Sequence, residues 1–202
     1  MKRLFDIIVA IFVLVLLSPV LLLIAILIKY KMGGPIFFLQ TRPGLNGKPF
    51  TLVKFRTMKN TMDTNNNLTE DANRITRLGS LLRATSLDEI PSFWCVLKND
   101  MSIIGPRPLL MEYLPLYSEY QDRRHEVRPG ITGWAQVNGR NTISWEEKFI
   151  FDVWYVDNKS LLLDLRILLL TIKKVYLREG ISAHNEATMS EFLGSPEADK
   201  YH

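Results

Sequence analysis

Residues 7–28 form an apolar run of 22 residues in which every residue but Ser18 and Pro19 is Ala, Val, Leu, Ile or Phe. As one helix rising ~1.5 Å per residue, the run reaches about 33 Å, enough to cross a hydrocarbon core of roughly 30 Å. Pro19 opposes a straight helix. It has no N–H to give the Val15 carbonyl, and its ring crowds that turn, at about 3 kcal/mol or more. The flanking charges share one sign: Lys2 and Arg3 before the run, Lys29 and Lys31 after it. Basic residues favour the cytoplasmic side, so both ends favour the same face. A helix that enters, bends and returns meets both demands, with limbs of about 16 and 14 Å. The Ser18 hydroxyl would satisfy backbone groups freed at the bend. A kinked spanning helix is the other reading, since membranes tolerate proline in helices. A cleaved signal peptide fits less well, because residues 29–34 lack a small-x-small pattern.

The net charge of +4 belongs mostly to this region. Residues 1–32 hold four basic groups against Asp6, which leaves +1 for the rest of the 202 residues. A nucleic-acid binder concentrates its basic excess on a folded surface, so that class is excluded. The single cysteine, Cys95, permits no internal disulfide and sits in the apolar run Phe93-Trp94-Cys95-Val96-Leu97, as a small buried hydrophobe would. There is no phosphate-binding P-loop, no G-x-G-x-x-G turn, no Asp-x-Asp and no HExxH; the three histidines are scattered.

Beyond the apolar run the chain reads as α+β and mostly helical. Residues 36–40 and 50–55 are β-prone, and Pro43-Gly44-Leu45-Asn46-Gly47 between them predicts a hairpin. Residues 59–71 are polar and Asn-rich, and read as a loop or lid. Helices are expected over 73–83, 86–98, 109–125 (interrupted at Pro115) and 144–156, the last with Ser144 and Glu147 spaced as a capping box. Residues 128–141 read as a loop with a short apolar piece at 134–137. Residues 161–176 predict a helix with Leu161, Leu162, Leu165, Leu168, Leu169, Ile172, Val175 and Tyr176 on one face. That face packs on a core or lies at a membrane interface. The tail, residues 181–202, is polar and reads as loosely held.

Three polar clusters can carry chemistry. Ser86-Leu87-Asp88-Glu89 has the spacing of a capping box. It also places Asp88 where a helix N-terminus lowers its pKa and keeps it ionised, as a nucleophile or a Mg²⁺ ligand. Pro91 removes an N–H from the first turn, which predicts an irregular one. In Gly105-Pro106-Arg107-Pro108, two prolines stiffen the backbone around a guanidinium suited to phosphate, or simply make a tight turn. In Arg128-Pro129-Gly130-Ile131-Thr132-Gly133-Trp134 through Arg140, glycines let backbone approach a ligand and Trp134 offers an apolar face, or the segment is a structural loop.

In order along the chain, Leu17-Ser18-Pro19, Gln40-x-Arg42-Pro43-Gly44, Lys54-Phe55-Arg56-Thr57-Met58, Arg83-x-x-Ser86-Leu87-Asp88-Glu89, Asn99-Asp100-Met101-Ser102-x-x-Gly105-Pro106-Arg107-Pro108 and the segment from Arg128 to Arg140 resemble the small monotopic phosphoglycosyl transferases, also called bacterial sugar transferases. The short length is similar to members of the N,N′-diacetylbacillosamine-1-phosphate transferase type. The resemblance implies a re-entrant membrane helix at 1–32 broken at Ser18 and Pro19. It implies a catalytic domain at 33–180, on the cytoplasmic face of the bacterial inner membrane with amphipathic interface helices, and the tail at 181–202. It implies Asp88 as nucleophile and metal ligand, Glu89 as its dyad partner, and Mg²⁺ as cofactor. The implied partners are a UDP-sugar, polyprenyl (undecaprenyl) phosphate and membrane lipids, without nucleic acid. The reaction it implies is ping-pong, with UMP released first and the phospho-sugar then passed to the lipid. Substrate phosphate or nucleotide contacts fall on Arg107 and Arg140, and on Arg83, Lys54 and Arg56. A non-catalytic membrane scaffold of the same fold is the competing expectation.

Overall fold

The computed structural model describes residues 1–59, 74–139, 143–177 and 191–195. The Asn-rich segment after Lys59, Arg140 and most of the tail lie outside them.

The apolar run folds as two helices, α1 (Lys2–Leu16) and α2 (Ser18–Met32), bent by 61°. The break falls at Leu17, one residue before the expected Ser18-Pro19 step. The shift has a simple cause. Pro19 occupies the first turn of α2, where its missing N–H costs nothing. Ser18 Oγ donates to the Val15 carbonyl at 2.8 Å, the group that proline leaves without its usual partner. No single described helix is long and apolar enough to cross a membrane; the bent pair is, by length and composition only.

α1 is tied to the rest of the protein. Lys2 Nζ reaches Asp164 at 2.6 Å and the Ile104 carbonyl at 3.2 Å. Arg3 donates to the Val96 carbonyl at 2.7 Å. Asp6 is buried and accepts from Ser102 Oγ and the Ile103 N–H. Ala10 enters the main core with Phe50, Leu52, Val96, Ile104 and Ile167.

The predicted hairpin forms from β1 (Phe37–Pro43) and β2 (Pro49–Phe55), paired antiparallel from Phe37↔Phe55 to Pro43↔Pro49. Asn46 and Gly47 take positive φ in the turn, where Asn and Gly are tolerated. Helix α3 (Arg77–Ala84) is capped by Thr76, whose side chain accepts from the Gly79 N–H.

The expected helix over 86–98 is instead a 3-10 turn, Leu87–Ser92, followed by one short helix, α4 (Phe93–Leu97). Ser86 is left-handed (φ 56°) and its side chain caps nothing. The capping-box expectation therefore fails here, while the irregularity expected from Pro91 holds.

Strand β3 (Ser102–Ile104) pairs in parallel with β4 (Gly130–Thr132), a pairing that the loop expected at 128–141 does not include. Between them, 3-10 turns and the short helix α5 (Glu119–Asp122) replace the long helix expected at 109–125. A Cβ on Gly130 would lie 2.1 Å from the Gly105 nitrogen, and one on Gly133 2.1 Å from the Gly105 oxygen. These glycines let backbone meet backbone. Gly130→Ala is expected to lower stability by about 1–3 kcal/mol, because main-chain atoms must shift. Denaturant unfolding in detergent measures it, and a midpoint equal to the wild type would refute that packing role.

After α6 (Trp134–Asn138), helix α7 (Trp145–Asn158) starts with the predicted Ser144–Glu147 capping box. Helix α8 (Leu161–Leu177) turns Asp164 and Ile167 inward; Asp164 takes the Lys2 and Tyr155 donors. Its leucine face is outward, with Leu162 79% and Leu169 69% exposed. Leu168 is the member of that face that packs, partly buried, against the main core, so core packing accounts for only part of it. The tail is not loose throughout: Phe192 is buried among Tyr113, Tyr117, Trp145 and Phe149.

Candidate active site

Strand β2 and the 3-10 turn Leu87–Ser92 pack together, joined by Ser92 Oγ donating to the Val53 carbonyl at 2.8 Å. The period of two along β2 puts Lys54 on the face of Phe50 and Leu52, toward that turn. Lys54 Nζ then meets Glu89 Oε1 at 2.7 Å. Arg107, between its two prolines after β3, reaches the same carboxylate with two donors, at 2.6 and 3.3 Å. Both Glu89 oxygens are thus engaged by cations.

Asp88, the next carboxylate along the chain, is buried at 9% exposure. Among the described residues nothing donates a hydrogen bond to its carboxylate. Burial, and then the Glu89 charge, push its pKa from 3.8 up to about 6, against the pull of Lys54, Arg83 and Arg107. The expectation that a helix N-terminus lowers this pKa is overturned. No regular helix begins there, and loss of water outweighs nearby cations. Glu89 goes the other way. Burial favours its neutral form, but Arg107 and Lys54 outweigh burial and hold it well below the usual carboxylate range. Two adjacent carboxyls are driven apart, which is how sites separate a reactive group from its support.

The other expected contacts divide. Arg83 anchors its Nε on Thr57 Oγ1 at 3.0 Å and lies within electrostatic reach of Asp88. Arg56 is not brought to the cluster. Its guanidinium is buried and donates to the carbonyls of Met32, Gly34, Pro35 and Met58, tying the end of α2 to the hairpin. Arg140 lies outside the described residues. Trp134 stacks on Trp154 at 4.9 Å, so its face serves packing.

Sequence reasoning attaches no role to Arg124. Its buried guanidinium takes Asp152 Oδ2 through two donors at 2.7 and 3.1 Å and also donates to the Arg107 carbonyl at 2.7 Å. It thereby fixes the backbone that presents Arg107 to Glu89. Arg124 lies in a charged run with Arg123 and Glu126, and no spacing distinguishes it from a solvated arginine.

The family model described as bacterial sugar transferase matches residues 1–178. The chain is 57% identical over 195 residues to an uncharacterized sugar transferase, EpsL, of Bacillus subtilis, covering 96% of each. It is 40% identical to the exopolysaccharide production protein ExoY of Sinorhizobium fredii, covering 89% of this chain and 87% of that one. It is also 41% identical to the UDP-glucose:undecaprenyl-phosphate glucose-1-phosphate transferase of Escherichia coli, where 89% of this chain matches 41% of the relative.

Proposed function

The chain belongs to the bacterial sugar transferase family, and from that premise we propose that it moves a sugar-1-phosphate from a UDP-sugar to polyprenyl phosphate, with release of UMP. The single observation behind this reading is the pair Asp88 and Glu89: one carboxyl tied down by Lys54 and Arg107, the other unbonded and raised to about 6. At neutral pH Asp88 is ionised, more basic than an ordinary carboxylate, and poorly solvated, as a nucleophile needs.

The reaction proceeds in two displacements. An Asp88 oxygen bonds to the β-phosphorus, and the bond from that phosphorus to the bridging oxygen breaks, so UMP leaves with the bridging oxygen. A phosphate oxygen of the polyprenyl phosphate then bonds to the same phosphorus, and the Asp88 oxygen–phosphorus bond breaks. Both attacking groups are anions, so neither step waits on a proton. Lys54, Arg83 and Arg107 lower the charge repulsion that an anion meets on approaching a diphosphate.

Among the described residues no three acidic, histidine or cysteine side chains are grouped to hold a metal. Mg²⁺ characteristically takes one or two carboxylates and fills its shell with substrate phosphates and water. The unbonded Asp88 carboxylate fits that mode; Glu89, with both oxygens engaged, does not. When bound there with the diphosphate, Mg²⁺ supplies further charge neutralisation.

The bent α1–α2 pair enters one leaflet as a re-entrant element on the cytoplasmic side of the bacterial inner membrane. Supporting this are the outward apolar residues of both limbs, Ile8, Phe12, Leu22 and Ile26, and the outward leucines of α8.

UMP release from a panel of UDP-sugars, with Mg²⁺ and polyprenyl phosphate, tests the reaction. For the accepted sugar, kcat/KM is expected to fall below about pH 6, where Asp88 takes up its proton. No UMP release from any sugar would leave the scaffold reading in its place.

A further inference from the structure

The hairpin face that carries Lys54 also carries Arg42. The register sets Arg42 opposite Phe50 and Gln40 opposite Leu52, so all share one side of the sheet. Arg42, Lys54 and Arg107 line a cavity of about 100 Å³ that extends inward to Gly130 and Ile131. Glu89 is the one acidic residue in its lining, and Lys54 and Arg107 already hold it. Among the described residues Arg42 has a single hydrogen bond, from Nη2 to Gln40 Oε1 at 2.7 Å. Its Nε is buried and meets no acceptor among the described residues.

A buried donor without an acceptor is costly, and in native proteins such groups are rare. Burial, and then the like charge of Arg107, push the Arg42 pKa down, against the opposing pull of Tyr113, Tyr117 and Glu112. An anion with several oxygens relieves both deficits at once. A guanidinium fork matches phosphate in shape as well as charge.

We propose that the cavity at Arg42 is a phosphoryl-binding subsite that takes a phosphate group of one of the two substrates. The proposal rests on the phosphoglycosyl transfer reading of the adjoining Asp88 site. Two phosphates share this chemistry, that of the nucleotide released as UMP and that of the lipid acceptor.

The test uses the full-length protein in lipid nanodiscs. UMP binding is measured by calorimetry, and KM is measured for the UDP-sugar and for polyprenyl phosphate. Arg42→Gln is expected to weaken UMP binding about 10- to 100-fold, the effect of losing one charge-assisted contact. Arg42→Lys, which keeps the charge but not the fork, should fall between. Unchanged UMP binding with a comparable rise in KM for polyprenyl phosphate alone would also support the subsite and assign it to the acceptor. Wild-type values for UMP and for both KM terms in folded Arg42→Gln would overturn it. Should that variant not fold, wild-type values in Arg42→Lys would do so. The same UMP measurement in an Asp88→Asn background separates the two readings. Persistent turnover there removes the nucleophile assignment, while Arg42-dependent UMP binding stands or falls separately.

Discussion

Asp88→Asn is expected to lose turnover by at least about 10⁴-fold, as removal of a nucleophile commonly does, and to become more stable at neutral pH. The two effects share one cause. A carboxyl raised from 3.8 to about 6 binds its proton more tightly in the folded state than in the unfolded one. Its contribution to stability is complete below the unfolded pKa and is lost as pH rises through about 6. Above that, the buried anion costs up to about 3 kcal/mol. Asparagine keeps the shape and removes the charge, so the variant should gain up to that amount at pH 7.5 and almost nothing near pH 4. Unfolding at the two pH values measures the gain. UMP release, and intact mass after incubation with UDP-sugar alone, measure the chemistry. Wild-type protein should gain the mass of a phospho-sugar, and the variant should not. A variant that turns over normally, or whose stability difference is the same at both pH values, contradicts this account of Asp88.

Asp152→Ala is expected to cost about 3–5 kcal/mol of stability, because it strands the Arg124 guanidinium in the interior without its counter-charge. Both side chains are about 2% exposed or less, so water cannot substitute. Replacing both partners by apolar groups, as in Arg124→Met with Asp152→Leu, should recover most of that loss, since no buried charge remains. Activity should not recover with it. The double variant still lacks the donor that holds the Arg107 carbonyl, so the grip of Arg107 on Glu89 loosens. Unfolding midpoints set beside initial rates separate the effects. A single variant within about 0.5 kcal/mol of wild type would refute the structural role of the pair.

How far the sequence reveals the fold is shown by two segments with the same S-x-x-E spacing. Ser144–Glu147 caps a helix; Ser86–Glu89 does not. Pro91 and the left-handed Ser86 distinguish the second, and only the proline can be read in advance. The bend after α1 is legible because Pro19 and charges of one sign at both ends point the same way. Helix α8 is legible as a helix but not in its orientation. Periodicity groups Leu162, Leu165 and Leu169, yet the interior receives Asp164 and Ile167, because Lys2 and Tyr155 satisfy the aspartate. In the site, Asp88, Glu89, Lys54 and Arg107 come together from three separate motifs. Arg56, though part of one of those motifs, is claimed by four carbonyls, and short-range spacing does not show where a guanidinium ends. The Arg124–Asp152 contact joins residues 28 positions apart, and the burial of Phe192 joins the tail to rings from two earlier segments. Neither leaves a local trace.

The start of α1 is clamped to β3, α4 and α8 through Lys2, Arg3 and Asp6. On the proposed membrane placement, that rigidity works as a depth gauge. How deeply the hairpin of helices sinks into the leaflet sets the altitude at which the reactive oxygen rides above the lipid headgroups. Bilayers of different thickness would then raise or lower the whole body together, and a long-chain phosphate would find its acceptor level already matched to that height.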